Sequence, residues 1–186
     1  MEVFFLGTGT SQGVPVIGCR CDVCKSQDKR DKRLRSSVLV RHKGNNIIID
    51  TGPDFRYQML RQNISKIDAI LYTHEHKDHV GGLDDIRPLN FIDNKSIPIY
   101  CSERVNNSLH QSYPYIFSKK KYPGLPQVKI NIINNNVFYF DEIKVTPISG
   151  LHYKLPVHGF RIDDFTYLTD FSFISKEDKI KILGTK

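Results

Sequence analysis

Short apolar runs separated by turn residues dominate the first half of the chain. The runs at 2–6, 36–42 and 45–50 are rich in β-branched and aromatic residues, which predicts three strands. Lys43 and Gly44 lie between the last two runs, so these strands are expected to form a hairpin. A fourth run at 67–73 predicts a buried strand that leads directly into a cluster of histidines.

Helical periodicity appears between these runs. In residues 54–63, Phe55, Met59 and Leu60 fall on one helical face, and Asp54 is predicted to cap the helix. Further helices are predicted at 82–92, at 102–111 and from Ser175 onward.

The second half of the chain is mostly β-rich. Residues 112–127, with three prolines and a lysine triplet, predict an irregular insertion, which is a candidate lid with Lys119, Lys120 and Lys121 as candidate phosphate contacts. This order of elements predicts an α/β fold with mixed sheets covered by helices, in one domain over residues 1–186. Strands are predicted within the runs at 97–101, 129–133, 137–140, 142–148, 158–162 and 165–169.

Composition narrows the class of protein. Hydrophobic residues make up 39% of the 186 residues and charged residues 25%, which is typical of a folded globular chain. No apolar run approaches the ~20 residues of a membrane helix, and residues 1–9 lack the positive charge that begins a signal peptide. We therefore expect a cytoplasmic protein without a membrane partner.

Charge favours an anionic partner, because the formal net charge is +7 and the pI is about 9.2. Much of the positive charge lies in residues 25–35, either as an ordinary solvated loop or as a collar that attracts an anionic substrate. Aromatic residues are not interleaved with these charges, so a stacking platform for single-stranded nucleic acid is not indicated.

Three of the four cysteines, Cys19, Cys21 and Cys24, lie within six positions. In a cytoplasmic protein such a cluster is more typical of a metal site than of disulfides. A closed zinc site needs four ligands, and the remaining thiol, Cys101, is distant in sequence and is expected to be buried.

The most informative stretch reads THEHKDH and follows the fourth predicted strand. His74 and His76 point the same way in an extended segment because side-chain direction repeats every two residues, so they can bind one metal. Asp78 and His79 can present an oxygen and a nitrogen to a second metal after the chain bends. Imidazole with carboxylate suits zinc, manganese or iron, and the glycine pair 81–82 is expected to allow a tight backbone turn beneath the metals.

The pattern His-x-His-x-Asp-His, after an apolar strand and before Gly-Gly, resembles the signature of the metallo-β-lactamase superfamily. Other motifs follow in the same order: IIIDTG precedes the cluster, HYKLPVHGFRI supplies His152 and YLTD supplies Asp170. The resemblance implies an αββα sandwich that binds two divalent cations. The implied ligands are His74, His76 and His152 for the first metal, Asp78 and His79 for the second, and a bridging Asp170.

The N-terminal stretch FLGTGTSQGVPVIGCRCDVC resembles one branch of the superfamily, the PhnP-type phosphoribosyl cyclic phosphodiesterases. RLRSS, DTGPDFR and GLDDIRP resemble the same branch. The resemblance implies that Cys19, Cys21 and Cys24 bind a structural zinc away from the catalytic metals. It also implies late histidines for the second metal and for the cysteine site. Nothing after His158 matches them, so the sequence predicts a fold that lacks its C-terminal part.

The leading hypothesis is a dinuclear zinc or manganese phosphodiesterase that uses a metal-bridging hydroxide, with Asp78 as ligand and late proton acceptor. The expected substrate is a small anionic phosphodiester such as a cyclic ribose phosphate. One alternative is a transfer-RNA 3′-processing endonuclease, which shares the histidine motif but predicts a long RNA-binding arm and no cysteine cluster. Nucleic acid is therefore the less favoured partner. The other alternative is a truncated zinc-binding chain without activity.

Overall fold

The computed structural model of the protein describes residues 1–119 and 122–185. They form two β-sheets packed face to face, with helices on the outer side of the first sheet. The strands are β1 (Glu2–Gly7), β2 (Ser37–His42), β3 (Asn45–Ile49), β4 (Ala69–Leu71), β5 (Ile97–Cys101), β6 (Val128–Ile132), β7 (Phe138–Phe140), β8 (Ile143–His152), β9 (Leu155–Ile162), β10 (Phe165–Tyr167) and β11 (Phe173–Ile174). The helices are α1 (Asp22–Lys25), α2 (Phe55–Arg61), α3 (Lys77–Val80), α4 (Arg87–Asp93), α5 (Glu103–Ser112), α6 (Pro114–Phe117) and α7 (Lys176–Lys181), with short 3₁₀ turns at Lys29–Asp31 and Leu83–Ile86.

The first sheet has the strand order β1-β2-β3-β4-β5-β6, antiparallel through β3 and parallel from β3 to β6. Lys43 and Gly44 have φ angles of 48° and 78°, as a tight two-residue turn needs, and the predicted hairpin is confirmed. Because β3 and β4 are parallel, their carboxyl ends lie side by side. Asp50 and the segment that begins at Thr73 therefore emerge at the same edge, where open α/β sheets place their ligand sites.

The second sheet has the order β10-β9-β8-β11, and β7 also pairs with β8. β8 and β9 form a long antiparallel hairpin that ends at the pair His152 and Leu155. Helix α7 lies against β8, where the backbone N–H of Ser149 donates to Asp178 at 3.0 Å. β8 extends beyond the predicted run because Ser149 and Gly150 stay in the ladder opposite β9.

Alternation along β2 separates two hydrophobic cores. Val38 and Val40 face the second sheet and join residues such as Val145 and Phe160, whereas Leu39 faces the helices. The predicted layered α/β fold is thus confirmed. None of the helices in the described part of the chain is long and apolar enough to cross a bilayer.

Two details of the predicted helix at 54–63 are wrong. The Asp54 carboxylate does not cap α2; it accepts hydrogen bonds from the Arg35 backbone at 2.9 Å and from the Arg35 guanidinium at 3.0 Å. Leu60 is exposed while Phe55 and Met59 are buried. Five residues of helix rotate a side chain by about 140° away from its starting face, so Leu60 cannot share the face of Phe55.

The predicted irregular insertion is also partly wrong, because α6 forms within it. Ile116 of this helix is buried in the core, and the Tyr113 hydroxyl donates to the Val80 carbonyl at 2.9 Å. Lys120 and Lys121 lie outside the described residues. The suggested lid and its phosphate contacts stay predictions.

Candidate metal centre

The extended segment after β4 carries two histidines on one side of the chain. His74 is fully buried, with Nδ1 3.0 Å from the Thr73 hydroxyl and Nε2 3.1 Å from Nδ1 of His76. α3 begins directly after His76, which is the bend that turns Asp78 and His79 back toward the same edge. The extended segment therefore places His74 and His76 on one side of the chain, and the helical turn directs Asp78 and His79 to the same edge.

A third imidazole arrives from the other sheet. His152 ends β8, and its ring centroid lies 5.7 Å from that of His74 and 5.3 Å from that of His76. One ring nitrogen from each of the three residues lies within 4.8 Å of the others. Three converging imidazoles with one side open are a donor set that can hold a divalent cation such as zinc.

A second group overlaps the first. His79 Nε2 lies 2.8 Å from Asp170 Oδ2 and 3.2 Å from Asp78 Oδ2, and His74 Nε2 lies 3.6 Å from the same Asp170 oxygen. His74, His79 and Asp170 also offer ligand atoms within 4.8 Å of one another. His74 is thus the residue that the two groups share, and Asp170 lies beside it in the second group. We call these six residues the histidine–aspartate cluster: His74, His76, Asp78, His79, His152 and Asp170.

Asp50 supports this cluster, and the sequence patterns did not single it out. It is fully buried and accepts hydrogen bonds from the Thr73 backbone at 2.9 Å and the Thr73 hydroxyl at 2.8 Å. Its Oδ2 also lies 2.7 Å from His79 Nδ1, which orients the imidazole toward Asp170. Its position directly after a buried strand, in IIIDTG, is the sequence feature from which Asp50 could have been identified.

The glycines near the cluster lie where two backbone segments pack too closely to leave room for a side chain. A Cβ on Gly82 would lie 2.2 Å from the Gly52 carbonyl oxygen, and one on Gly52 would lie 2.1 Å from the Asp78 carbonyl oxygen. Gly81 and Gly82 form a turn after α3 with negative φ angles, so this turn does not use torsions that only glycine adopts. The glycines are required because the backbone after β3 packs directly against α3.

Electrostatics at the cluster favours a cation. Burial lowers the pKa of His74 to about 4, so its ring is neutral near pH 7. Burial also disfavours a charged His79, but the carboxylates of Asp50, Asp170 and Asp78 outweigh it and raise the pKa of His79 to about 12. Burial opposes the Asp78 carboxylate, whereas the hydrogen bond and charge of His79 lower its pKa to about 2. Three carboxylates thus surround one imidazole, and this concentration of acidic groups would also favour a bound cation.

The three N-terminal cysteines form a separate group, which we call the cysteine loop: Cys19, Cys21 and Cys24. Their sulfur atoms lie within 4.8 Å of one another, and the sulfurs of Cys19 and Cys21 are 3.4 Å apart. The backbone N–H of Cys24 stabilises the Cys21 thiolate and lowers its pKa, which favours metal binding.

Cys101 and His158 are the two side chains that could be considered as a fourth ligand. Neither is grouped with the cysteine loop in the described part of the chain. Cys101 is fully buried in the core, where burial raises its pKa to about 12. His158 lies on β9, and its backbone N–H donates to the Thr73 carbonyl at 3.0 Å.

Comparison with known proteins agrees with this geometry. Residues 45–184 match the beta-lactamase superfamily domain. The crystal structure of a diphosphatase from the PhnP family has a TM-score of 0.91 and 41% sequence identity over 98% of this chain and 70% of that chain. The chain belongs to the PhnP family of the beta-lactamase superfamily. The family resemblance inferred from the motifs is therefore confirmed.

Curated relatives extend the PhnP family comparison to longer proteins. An octanoyltransferase of Porphyromonas gingivalis is 41% identical over 96% of this chain and 36% of its own length. A ribonuclease Z of Nostoc punctiforme is 27% identical over 87% of this chain and 46% of its own length. This chain spans less than half the length of these two relatives.

Proposed function

We propose that this PhnP-family chain is a metal-dependent hydrolase that cleaves small phosphodiesters at the histidine–aspartate cluster. The observation that carries the proposal is that two ligand groups share His74, whose Nε2 lies 3.6 Å from Asp170 Oδ2 in the second group. Two adjacent cations that share a carboxylate are the arrangement used for in-line phosphoryl displacement. The high similarity to a PhnP-family diphosphatase supports a phosphorus-containing substrate.

The proposed ligands are the six residues of the histidine–aspartate cluster. His74, His76 and His152 would hold one cation, Asp78 and His79 a second, and Asp170 would bridge them. Zinc or manganese suits this mixture of imidazole and carboxylate. When bound, such a pair of ions supplies a water molecule of lowered pKa and positive charge for the phosphoryl oxygens.

Side chains of this protein would hold the ligand imidazoles in position and accept a proton during the reaction. Asp50 holds the His79 ring, and Thr73 lies within hydrogen-bonding distance of the His74 ring, so both imidazoles keep one direction. Asp78 lies 3.2 Å from His79, is ionised near neutral pH and is partly exposed. It is therefore the group in our proposal that accepts a proton late in the reaction.

The cysteine loop has a structural part in this proposal. Cys19, Cys21 and Cys24 would bind one zinc ion, which would hold residues 16–25 without touching the substrate. The sulfur groups and the histidine–aspartate cluster are separate sets of ligand atoms, which supports a division between structure and chemistry.

The test is hydrolysis by the full chain loaded with Zn²⁺ or Mn²⁺. The panel contains a ribose 1,2-cyclic phosphate, bis(p-nitrophenyl) phosphate and a dinucleoside diphosphate, because the PhnP-family neighbour is described as a diphosphatase. We expect metal-dependent turnover of the cyclic phosphodiester. Absence of turnover with every substrate and both metals would contradict the proposal and support a zinc-binding chain without activity.

A second candidate is cleavage of transfer RNA at its 3′ end. Matches to several ribonuclease Z proteins at 25–28% identity favour it. A transfer-RNA precursor in the same assay separates the two, since our proposal expects the small diester to be cleaved and the RNA to stay intact.

A further inference from the structure

The segment that carries Asp170 crosses one face of the second sheet. In the strand order β10-β9-β8-β11, the strands β10 and β11 lie on opposite sides of β9 and β8, so the residues that join them pass over both. We call residues 168–172 the crossing segment. Gly150 of β8 and Gly159 of β9 share one face, because Gly159 pairs with Ile148 and side-chain direction repeats every two residues. The crossing segment therefore runs over two glycines.

The Phe171 ring fills the space that these glycines leave. A Cβ on Gly150 would overlap Cδ1 and Cε1 of this ring. A Cβ on Gly159 would lie 3.4 Å from Cζ of the ring and would overlap the end of the Leu168 side chain. We call the surface above Gly150 and Gly159 the glycine seat. Side chains on both sides of Asp170 thus pack on this seat.

The backbone of Asp170 adopts a torsion that needs support from its surroundings. Its φ is 58°, in the left-handed region that a residue with a Cβ rarely enters. Such torsions persist where the surrounding structure holds them. Asp170 Oδ2 lies 2.8 Å from His79 Nε2 and 3.6 Å from His74 Nε2, while the next side chain packs on the glycine seat. Asp170 therefore faces the cluster and Phe171 faces the sheet.

Hydrogen bonds fix the end of the crossing segment. The backbone N–H and the hydroxyl of Ser172 donate to the Leu151 carbonyl at 2.7 and 2.8 Å, and the Tyr153 backbone N–H donates to the same hydroxyl at 2.7 Å. Leu151 directly precedes His152, so these bonds align the segment with the strand that carries another candidate ligand. In the chain, Phe171 lies between this fixed end and Asp170.

We propose that Phe171 is a positioning residue for Asp170: its ring, packed on the glycine seat, keeps the Asp170 carboxylate directed at His79 and His74. The inference rests on the metal centre of the proposed function and does not depend on the substrate. A ring that fills a fixed space restricts the backbone beside it. Without the ring, Asp170 can leave the left-handed region for torsions of lower energy, and its carboxylate loses its direction.

The test measures Mn²⁺ binding to the full chain by calorimetry, since manganese prefers oxygen ligands to thiolates and reports on the cluster rather than on the cysteine loop. Phe171→Ala should weaken binding of the ion held by His79 and Asp170 by about 10- to 100-fold, the usual effect of removing a group that orients a ligand. Phe171→Leu should recover most of this affinity, because a branched apolar side chain still fills part of the seat. A merely structural role would lower the unfolding temperature and leave the Mn²⁺ affinity of the folded chain unchanged.

Phe173→Ala is the matched control, because this phenylalanine lies two residues further along and is 58% exposed. It should bind Mn²⁺ as the wild type does, and circular dichroism shows that each metal-free variant is folded. Wild-type affinity in Phe171→Ala, or an equal loss in Phe173→Ala, overturns the positioning role and leaves the proposed function standing. A wild type that binds Mn²⁺ but hydrolyses no phosphodiester overturns the proposed function alone, since the affinities still decide the role of Phe171.

Discussion

The histidine–aspartate cluster and the cysteine loop are both groups of metal-ligand residues, but the fold prepares them very differently. The cluster lies at the carboxyl ends of paired strands, with His74 and His79 buried and Asp50 and Thr73 within hydrogen-bonding distance of their rings. In the cysteine loop Cys19 and Cys21 are exposed, and α1 has only four residues. The first site is organised by the protein core, whereas the second depends on the ion that it would bind.

The largest effect is expected from His74→Ala. This side chain belongs to both ligand groups, so its loss should weaken both metal positions and lower kcat on the cyclic phosphodiester by about 10²- to 10³-fold or more. Steady-state kinetics at saturating metal measures it. His110→Ala, which removes an exposed histidine that stacks on Phe117, should stay near the wild-type rate. Full activity of His74→Ala would contradict a shared central ligand.

Asp50→Asn tests whether the core organises the cluster. The amide keeps the shape of the side chain but removes the charge beside His79 Nδ1, and we expect a loss of about 10- to 100-fold in metal affinity. Metal titration followed by calorimetry measures this change. Asp85→Asn alters an exposed acid and is the matched control. If Asp50→Asn binds metal as the wild type does, the imidazole is not oriented by Asp50.

Cys21→Ser tests the opposite claim for the cysteine loop. The variant should lose about one metal ion per chain, because removal of one thiolate opens the site, while kcat changes only a few-fold. Elemental analysis of purified protein gives the metal content, and limited proteolysis should then cut near residues 16–25. Cys101→Ala removes a buried thiol from the core and should keep the metal content. A collapse of kcat in Cys21→Ser would show that the two regions are not separate.

The smallest effect concerns Asp178, a hydrogen-bonded acid outside both regions. Burial opposes its charge, but Lys181, Ser149 and Ser175 outweigh this and lower its pKa. A lowered folded-state pKa stabilises the fold above the pKa of the unfolded chain, and this contribution is lost as the pH falls through the folded value. Asp178→Asn should therefore cost about 1–3 kcal/mol at pH 7 and much less near pH 3, measured by urea unfolding. An equal cost at both pH values would contradict a role for the charge.

Local sequence patterns predicted much of the secondary structure and the residue types of the candidate metal centre. The hairpin at Lys43 and Gly44 and the helices that begin after Ser102 and Ser175 depend on neighbouring residues alone, and each is present. The cap expected from Asp54 failed because Arg35, distant in sequence, competes for the same carboxylate.

The sequence by itself determined which residue types that can bind metal lie together, because His74, His76, Asp78 and His79 are close in the chain and strand and helix periodicity set their directions. Only the tertiary structure decided which distant groups complete the site. Asp50 meets His79 because β3 and β4 are parallel neighbours, and His152 meets His74 because the two sheets pack face to face. Phe171 meets Gly150 because the strand order carries its segment across β9 and β8, and contacts between residues far apart in the chain depend on such packing.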